Sequence, residues 1–299
     1  MCVNNNINLS ILIPCYNWDV YTLIQNLHIL CQANSKLENF EIICVDDASK
    51  ECFSNSKVSK LSNVKYEKLK INIGRSKIRN LMARKAKYEW LLFIDADSKI
   101  HNSDFIANYI YAINSDLSPR TLYYGSTIYS EKKPKKEKIL HWSYGQKIES
   151  KTKQFNFASH HFLIEKKLFS TKYNVKFDES IKSYGYEDLF FVIDHNLHTI
   201  YIDNPLYHVG LKDADKFIDD TENALQNLIK HSSIKHIEHK IKIINTANLF
   251  CKIYLDKIVT IIFRKLKSFI LKNLHSRNPS ILCLQFYKLG YFLDQKNQI

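Results

Sequence analysis

Along the N-terminal two-thirds of the chain, apolar residues come in short runs that end abruptly in polar or acidic residues. Leu9–Pro14 (Leu-Ser-Ile-Leu-Ile-Pro), Phe40–Val45 (Phe-Glu-Ile-Ile-Cys-Val) and Trp90–Ile94 (Trp-Leu-Leu-Phe-Ile) are the clearest. Runs this short, with little alternation, predict strands covered on both faces of a sheet. Between them the apolar positions take up helical spacing. Leu23, Ile24, Leu27 and Leu30 follow Asp19, a candidate N-cap for a helix reaching about Asn34. Ile78, Leu81, Met82 and Ala86 line a basic helix opened by Ser76, just after the turn Asn72-Ile73-Gly74-Arg75. Val64–Leu69 reads as a third, short and polar strand. A helix from Ser103 to about Ile113 and strands at Leu122–Tyr129, Phe155–Ile164 and Ile200–Ile202 follow. Strand alternating with helix in this rhythm predicts an α/β fold with a mainly parallel sheet flanked by helices.

Each of the main runs empties into groups that can bind. Cys15-Tyr16-Asn17 follows the first, Asp46-Asp47 the second and Asp95-Ala96-Asp97 the third. Open α/β sheets collect ligands at the C-terminal ends of their strands. In extended backbone, residues i and i+2 point the same way. Asp95 and Asp97 can therefore offer two oxygens to one divalent cation, completed by substrate phosphates; they could equally cap a helix or shape a polar turn. Neither GxGxxG nor GxxxxGK[ST] occurs, so a dinucleotide fold and a P-loop are unsupported. Further on, Tyr184-Gly185-Tyr186 leads into Glu187-Asp188 at a predicted helix N-terminus, and His208 lies just beyond Ile200–Ile202. The charged segment Glu131–Lys138 reads as a solvated loop, or as a cationic lid over a leaving phosphate.

Composition narrows the class. In 299 residues, 45% hydrophobic and 24% charged content suit a soluble globular chain, and 6 Gly and 5 Pro argue against long linkers. Seven scattered cysteines with no CxxC pair read as reduced thiols of a cytosolic protein. Met1-Cys2-Val3-Asn4 opens without a basic or apolar leader region, so no signal peptide is expected. No apolar run reaches the roughly 18 to 20 residues that span a bilayer. The net charge of +13 is concentrated near the end, where residues 228–299 hold 13 Lys/Arg against 3 Asp/Glu. That distribution argues against a whole-protein nucleic-acid surface and for a tail that meets something anionic.

These segments together resemble the family 2 glycosyltransferases. The matching pieces occur in the family's order: Ser10–Asn17, Glu41–Ser49, Asn72-Ile73-Gly74 with Arg79-Asn80, Phe93–Asp97, Phe177-Asp178-Glu179 and Gly185–Asp188. The likeness covers roughly residues 8–210. The Gly-x-Glu-Asp segment with its later His is also similar to galactosyltransferase-type and chondroitin-polymerase-type enzymes. The resemblance implies a GT-A fold and an inverting transfer of a hexose or N-acetylhexosamine from a UDP-sugar to a glycan or lipid-linked glycan, in surface polysaccharide or lipopolysaccharide synthesis. It implies that Pro14, Tyr16 and Asn17 line the nucleoside pocket, that Asp46 accepts from uracil or ribose, and that Gly74 lets backbone approach the nucleotide. Arg79 would meet phosphate or Asp95, and Asp95 would contact ribose. Asp97 would bind Mn²⁺ or Mg²⁺, with His208 as a further ligand favouring Mn²⁺. Asp188 would be the general base, kept ionised by the helix dipole, and Glu187 would hold an acceptor hydroxyl. His160-His161 departs from the small polar residue usual there, and reads as an acceptor contact or a strand end.

The expected division is a catalytic domain, 1–212, and a basic helical region, 213–299. In that tail Leu255, Ile258, Val259, Ile262, Leu266, Phe269 and Ile270 form a stripe, with Lys257, Arg264, Lys265, Lys267 and Lys272 on other faces. Such a helix either lies on an anionic membrane surface, giving a peripheral location on the inner face of the cell membrane, or packs inward with a solvated basic face. The alternative to an enzyme is an inactive sugar-nucleotide or glycan-binding module. It would have no use for Glu187-Asp188 beside Asp95-x-Asp97.

Overall fold

The computed structural model describes residues 7–51, 53–115, 118–151, 157–231 and 241–298. In chain order its elements are β1 (Ile7–Cys15), α1 (Tyr21–Gln32), β2 (Leu37–Asp46), β3 (Val64–Lys68), α2 (Arg75–Lys85), β4 (Trp90–Ile94), β5 (Ser98–Ile100), α3 (Phe105–Ser115), β6 (Thr121–Tyr124), β7 (Thr127–Ile128), α4 (Ile139–Lys147), β8 (His161–Glu165), α5 (Glu187–Asp194), β9 (His198–Tyr201), β10 (Leu206–His208), α6 (Ala214–His231), α7 (Lys242–Lys252), α8 (Asp256–Leu274) and α9 (Ile281–Lys296). They fall into two compact units. One comprises residues 1–130, 149–182 and 187–210; the other comprises 131–148, 183–186 and 211–299.

The first unit is built on a seven-stranded sheet, ordered β3-β2-β1-β4-β8-β6-β9. β3, β2, β1 and β4 run parallel, while β8 is antiparallel to β4 and β6 on either side of it. The apolar runs fill both faces, as their lack of alternation requires. Leu9, Ile11, Ile13, Ile42, Leu92 and Ile94 belong to one core with residues of α1 and α3. Leu12, Ile43, Val45, Leu91 and Phe93 belong to the other, with Ile78 and Met82 of α2 and Phe191 of α5. Ser10 and Glu41, polar and buried in this sheet, bond each other at 2.8 Å.

A small sheet ordered β5-β10-β7 stands beside the large one. It arises because the strand expected at Leu122–Tyr129 breaks into β6 and β7, and because His208 closes a strand of its own rather than following one. The start of the strand expected from Phe155 lies outside the described residues, as do Cys2 and Cys52; the five described cysteines are free thiols.

The second unit is helical. Its segment 131–148 carries α4, a stretch to which the sequence reading gave no element and which it placed in the catalytic part. His141 of α4 stacks on Phe217 of α6 at 4.7 Å between ring centroids, so a helix too short to show its own periodicity is fixed by packing. On α8, Val259, Phe263, Ile270 and Leu274 are buried, as are Leu284, Tyr287, Tyr291 and Phe292 on α9. The expected stripe is therefore split: Ile258, Ile262, Leu266 and Phe269 are exposed instead. No described helix is long and apolar enough to cross a membrane.

Candidate active site

The parallel strands β1, β2 and β4 deliver their C-terminal loops to one edge; Cys15 pairs with Asp46, and Leu12 with Phe93. After β1, Pro14 is half-buried and Tyr16 is 45% exposed. Asn17 adopts a left-handed backbone (φ 49°). Its amide N donates to Ser49 Oγ at 2.7 Å, and its Oδ1 accepts from the backbone N of Lys50 at 2.8 Å. The first polar loop is thereby tied to the second.

Asp46 is 2% exposed. Its Oδ1 accepts from Ser49 N at 2.7 Å and its Oδ2 from the Tyr66 hydroxyl at 2.7 Å. Asp47 accepts from the backbone N of Ile73 at 2.7 Å and of Gly74 at 2.9 Å. Asp47 thus braces the loop entering α2, while Asp46, at the end of β2, braces the turn at Ser49. Gly74 is demanded by its backbone, at φ +85°, and not by crowding, since a side chain there would meet nothing within 4 Å.

Arg75 and Arg79, one helical turn apart, share a face of α2. Arg79 is 2% exposed and donates from Nη2 to Asp95 Oδ1 at 2.7 Å, with Phe177 against its guanidinium at 5.5 Å. Its Nε is buried without a hydrogen-bond partner. Arg75 donates from Nη1 to Glu187 Oε1 at 3.2 Å, and Glu187 is only 4% exposed. The same two cations act on the remaining acids, Arg75 on Asp97 and Arg79 on Asp188. One turn of α2 therefore serves both acid pairs. The sequence reading included Arg79 and missed Arg75, whose signal was its spacing of four from Arg79.

Asp97 occupies the turn between β4 and β5. Its Oδ2 lies 3.0 Å from Nε2 of His208, which β10 sets opposite Ser98 of β5. Burial alone would raise the Asp97 pKa, but the hydrogen bond and charge of His208, with His160 and Arg75, hold it well below the usual carboxylate range. Burial lowers the His208 pKa; the bond to Asp97 and the charges of Asp97, Glu149 and Asp95 outweigh that and raise it. Tyr129 faces His208 Nδ1 at 3.1 Å and donates its hydroxyl hydrogen to Glu149, so the phenol oxygen can accept from Nδ1–H. Tyr129 and Glu149 went unnoticed in the sequence because they are remote from any motif.

A Cβ at Gly210 would fall 2.1 Å from Asp97 Oδ2 and 2.7 Å from its Cβ. Gly210→Ala should therefore lower stability by about 1–3 kcal/mol, the cost of overpacking, read from the urea denaturation midpoint.

Asp188 opens α5 beside Glu187. Its Oδ2 accepts from Ser159 N at 3.2 Å and its Oδ1 from Leu189 N at 2.8 Å. The sequence reading expected the helix terminus to keep this acid ionised. Burial and then the neighbouring Glu187 push its pKa up to about 6, against the pull of the two amides and Arg79, which still leaves it mostly ionised at neutral pH. Desolvation outweighs the dipole here.

His160 and His161 are buried braces. His160 bonds Ser98 Oγ at 2.9 Å and Thr127 Oγ1 at 3.0 Å. His161 bonds the Tyr109 hydroxyl at 2.6 Å and the Ser126 carbonyl at 3.1 Å. Burial lowers their pKa values to about 4 and about 3, so both are neutral at pH 7.

The Asp97–His208 pair is a credible cation site by its chemistry. A hard carboxylate oxygen and an imidazole nitrogen converge, and the neighbouring glycine leaves the carboxylate its room.

The family model described as "Glycosyl transferase family 2" matches residues 10–171. The chondroitin synthase of Pasteurella multocida (strain Pm70) is 34% identical over 99 residues, 32% of this chain and 10% of that one. The chain spans between 10% and 38% of the length of the curated relatives it matches. Among solved structures, the mannosyltransferase PcManGT from Pyrobaculum calidifontis, in complex with GDP-Man and Mn²⁺, superposes with a TM-score of 0.58 at 12% identity. That likeness covers 97% of this chain and 86% of the other. GalNAc-T7 with UDP, GalNAc and Mn²⁺ gives a TM-score of 0.52 at 17% identity, over 70% and 44% of the two chains.

Proposed function

The chain belongs to glycosyl transferase family 2 and has the GT-A fold, and we propose that it is an inverting, metal-dependent glycosyltransferase. In this reading it moves a hexose or N-acetylhexosamine from a UDP-sugar to a glycan or lipid-linked glycan during surface polysaccharide synthesis. The observation that carries the reading is the convergence of two acid pairs on Arg75 and Arg79.

Transfer from a nucleoside diphosphate sugar needs a held nucleoside, a neutralised diphosphate and a base for the acceptor hydroxyl. Tyr16, exposed after β1, offers its ring to the base, with Pro14 and Asn17 alongside. The Asp46 oxygens each keep a second lone pair for uracil or ribose. Gly74 leaves open backbone facing the nucleotide. Arg79 fixes Asp95 for the ribose. Asp97 and His208 would hold the divalent ion, which when bound supplies Lewis-acid neutralisation of the diphosphate. Asp188 takes the acceptor proton as the hydroxyl oxygen bonds the anomeric carbon and the bond to the diphosphate breaks. Attack from the opposite face inverts the configuration. Glu187, held by Arg75, orients the acceptor hydroxyl. A base near pKa 6 is ionised at neutral pH yet more basic than an ordinary carboxylate, which suits proton abstraction better than a fully stabilised acid would.

The named relative and the two solved structures support this class, being described as a chondroitin synthase and as complexes with Mn²⁺ and a nucleotide. The buried acid pair Glu187-Asp188 favours an enzyme over a binding module. Incubation with UDP-Gal, UDP-Glc, UDP-GalNAc and UDP-GlcNAc is expected to release UDP from one of them, with Mn²⁺ and not with EDTA. If no donor, GDP-mannose included, is bound or turned over, the reading fails.

A further inference from the structure

The second unit carries an outward surface that no internal packing uses. At the corner between α7 and α8, Leu249, Ile253, Tyr254, Leu255 and Ile258 are all exposed, Tyr254 at 87%. Tyr254 holds a left-handed backbone, φ 59°, which turns the tip outward between the two helices. Along α8 the same surface continues. Residues 258, 262, 265, 269 and 272 recur at spacings of four and three, one helical face. Three are apolar, Ile258, Ile262 and Phe269, the last 69% exposed; the other two are Lys265 and Lys272. The opposite face, with Phe263 and Leu274, is buried.

Charge decides among occupants. Residues 241–281 contain eight Lys/Arg and one acid, Asp256. Lys252, Lys257, Lys265 and Lys272 are exposed, and among the described residues no carboxylate pairs with them. Arg264 and Lys267, by contrast, are matched by Asp294 and Glu222. A second copy meeting this face isologously would set one lysine-rich surface against another with Asp256 as its single acid, an arrangement that disfavours association. Lysines interleaved with large apolar groups suit a layer that is anionic at its surface and apolar below. The ammonium groups can reach headgroups while Tyr254, Ile258, Ile262 and Phe269 enter the acyl boundary.

We propose that the α7–α8 corner and the outer face of α8 dock on an anionic lipid surface. The sequence-level expectation left open whether this helix merely packs inward with a solvated basic face; the exposed apolar residues on it are what that alternative lacks. The proposal does not depend on the sugar chemistry, because a chain inactive with every donor would still bind vesicles.

The test is co-sedimentation of the full chain with vesicles of phosphatidylcholine, with and without phosphatidylglycerol. Binding should be about tenfold stronger or more with the anionic lipid and should weaken as salt rises. Tyr254→Ser combined with Phe269→Ser should reduce it by about tenfold or more while leaving far-UV circular dichroism unchanged, since both side chains are exposed. Changing Lys252, Lys257, Lys265 and Lys272 to Gln should remove the preference for the anionic lipid. Absence of sedimentation at low salt, or sedimentation indifferent to both variants, would overturn the proposal. So would a dimer in ultracentrifugation that the Tyr254/Phe269 pair abolishes, with no vesicle binding.

Discussion

Asp188→Asn is expected to bind UDP-sugar about as well as the parent chain and to transfer it about 10²–10⁴-fold more slowly, the range contributed by a general base. The substitution keeps the shape of the carboxyl group and its place at the start of α5, so Oδ1 can still accept from Leu189 N. What it removes is the group proposed to receive the acceptor proton. As a general base Asp188 would have to be ionised, so the parent rate should climb with pH through about 6 and level off above it. The groups that set this limb are Glu187, which raises the pKa, and Arg79 with the amides of Ser159 and Leu189, which lower it. Isothermal titration with UDP-sugar and initial rates across pH 5–8 separate the two effects. A variant that retains transfer, or a parent rate that is flat through pH 6, would remove Asp188 from the mechanism.

Asp97→Ala should abolish the Mn²⁺-dependent part of UDP binding. In the proposed site Asp97, from the turn before β5, and His208, from β10, would be the protein ligands, and loss of the carboxylate would leave only an imidazole to hold a doubly charged ion. Calorimetry of UDP with and without Mn²⁺ is the measurement. The parent should bind more tightly with the ion, and the variant should show no difference. Equal enhancement in both would exclude Asp97 as a ligand. Stability should change little by comparison, because the Asp97 side chain is 30% accessible and its ion pair with His208 is only half-buried.

The parts of this molecule that were legible in the sequence are those governed by local rules. β1, β2 and β4 announced themselves because strands buried on both faces must be apolar on both faces, and the acids at their ends followed from where such strands stop. Arg79 with Asp95 was among the expected pairings and is formed. What escaped was decided by distant partners. Arg75 acquires its role from Glu187, 112 residues away, and Tyr129 from His208, 79 residues away. The sequence reading gave Asp46 a nucleoside role and Asp47 none; in the fold the first braces the Ser49 turn and the second grips the amides before α2. α4 was hidden by its charged, proline-containing approach. On α8 the apolar count was visible, but which side would be covered was not, because the helix is apolar on both.

The shared turn of α2 holds Asp95 through Arg79 and Glu187 through Arg75. In the mechanism proposed above, a cation held beside Asp97 would also repel Arg75 and slacken its hold on Glu187, so filling the donor side would be felt on the acceptor side. Two guanidinium groups four residues apart would then make the order in which the two substrates add depend on one turn of a single helix.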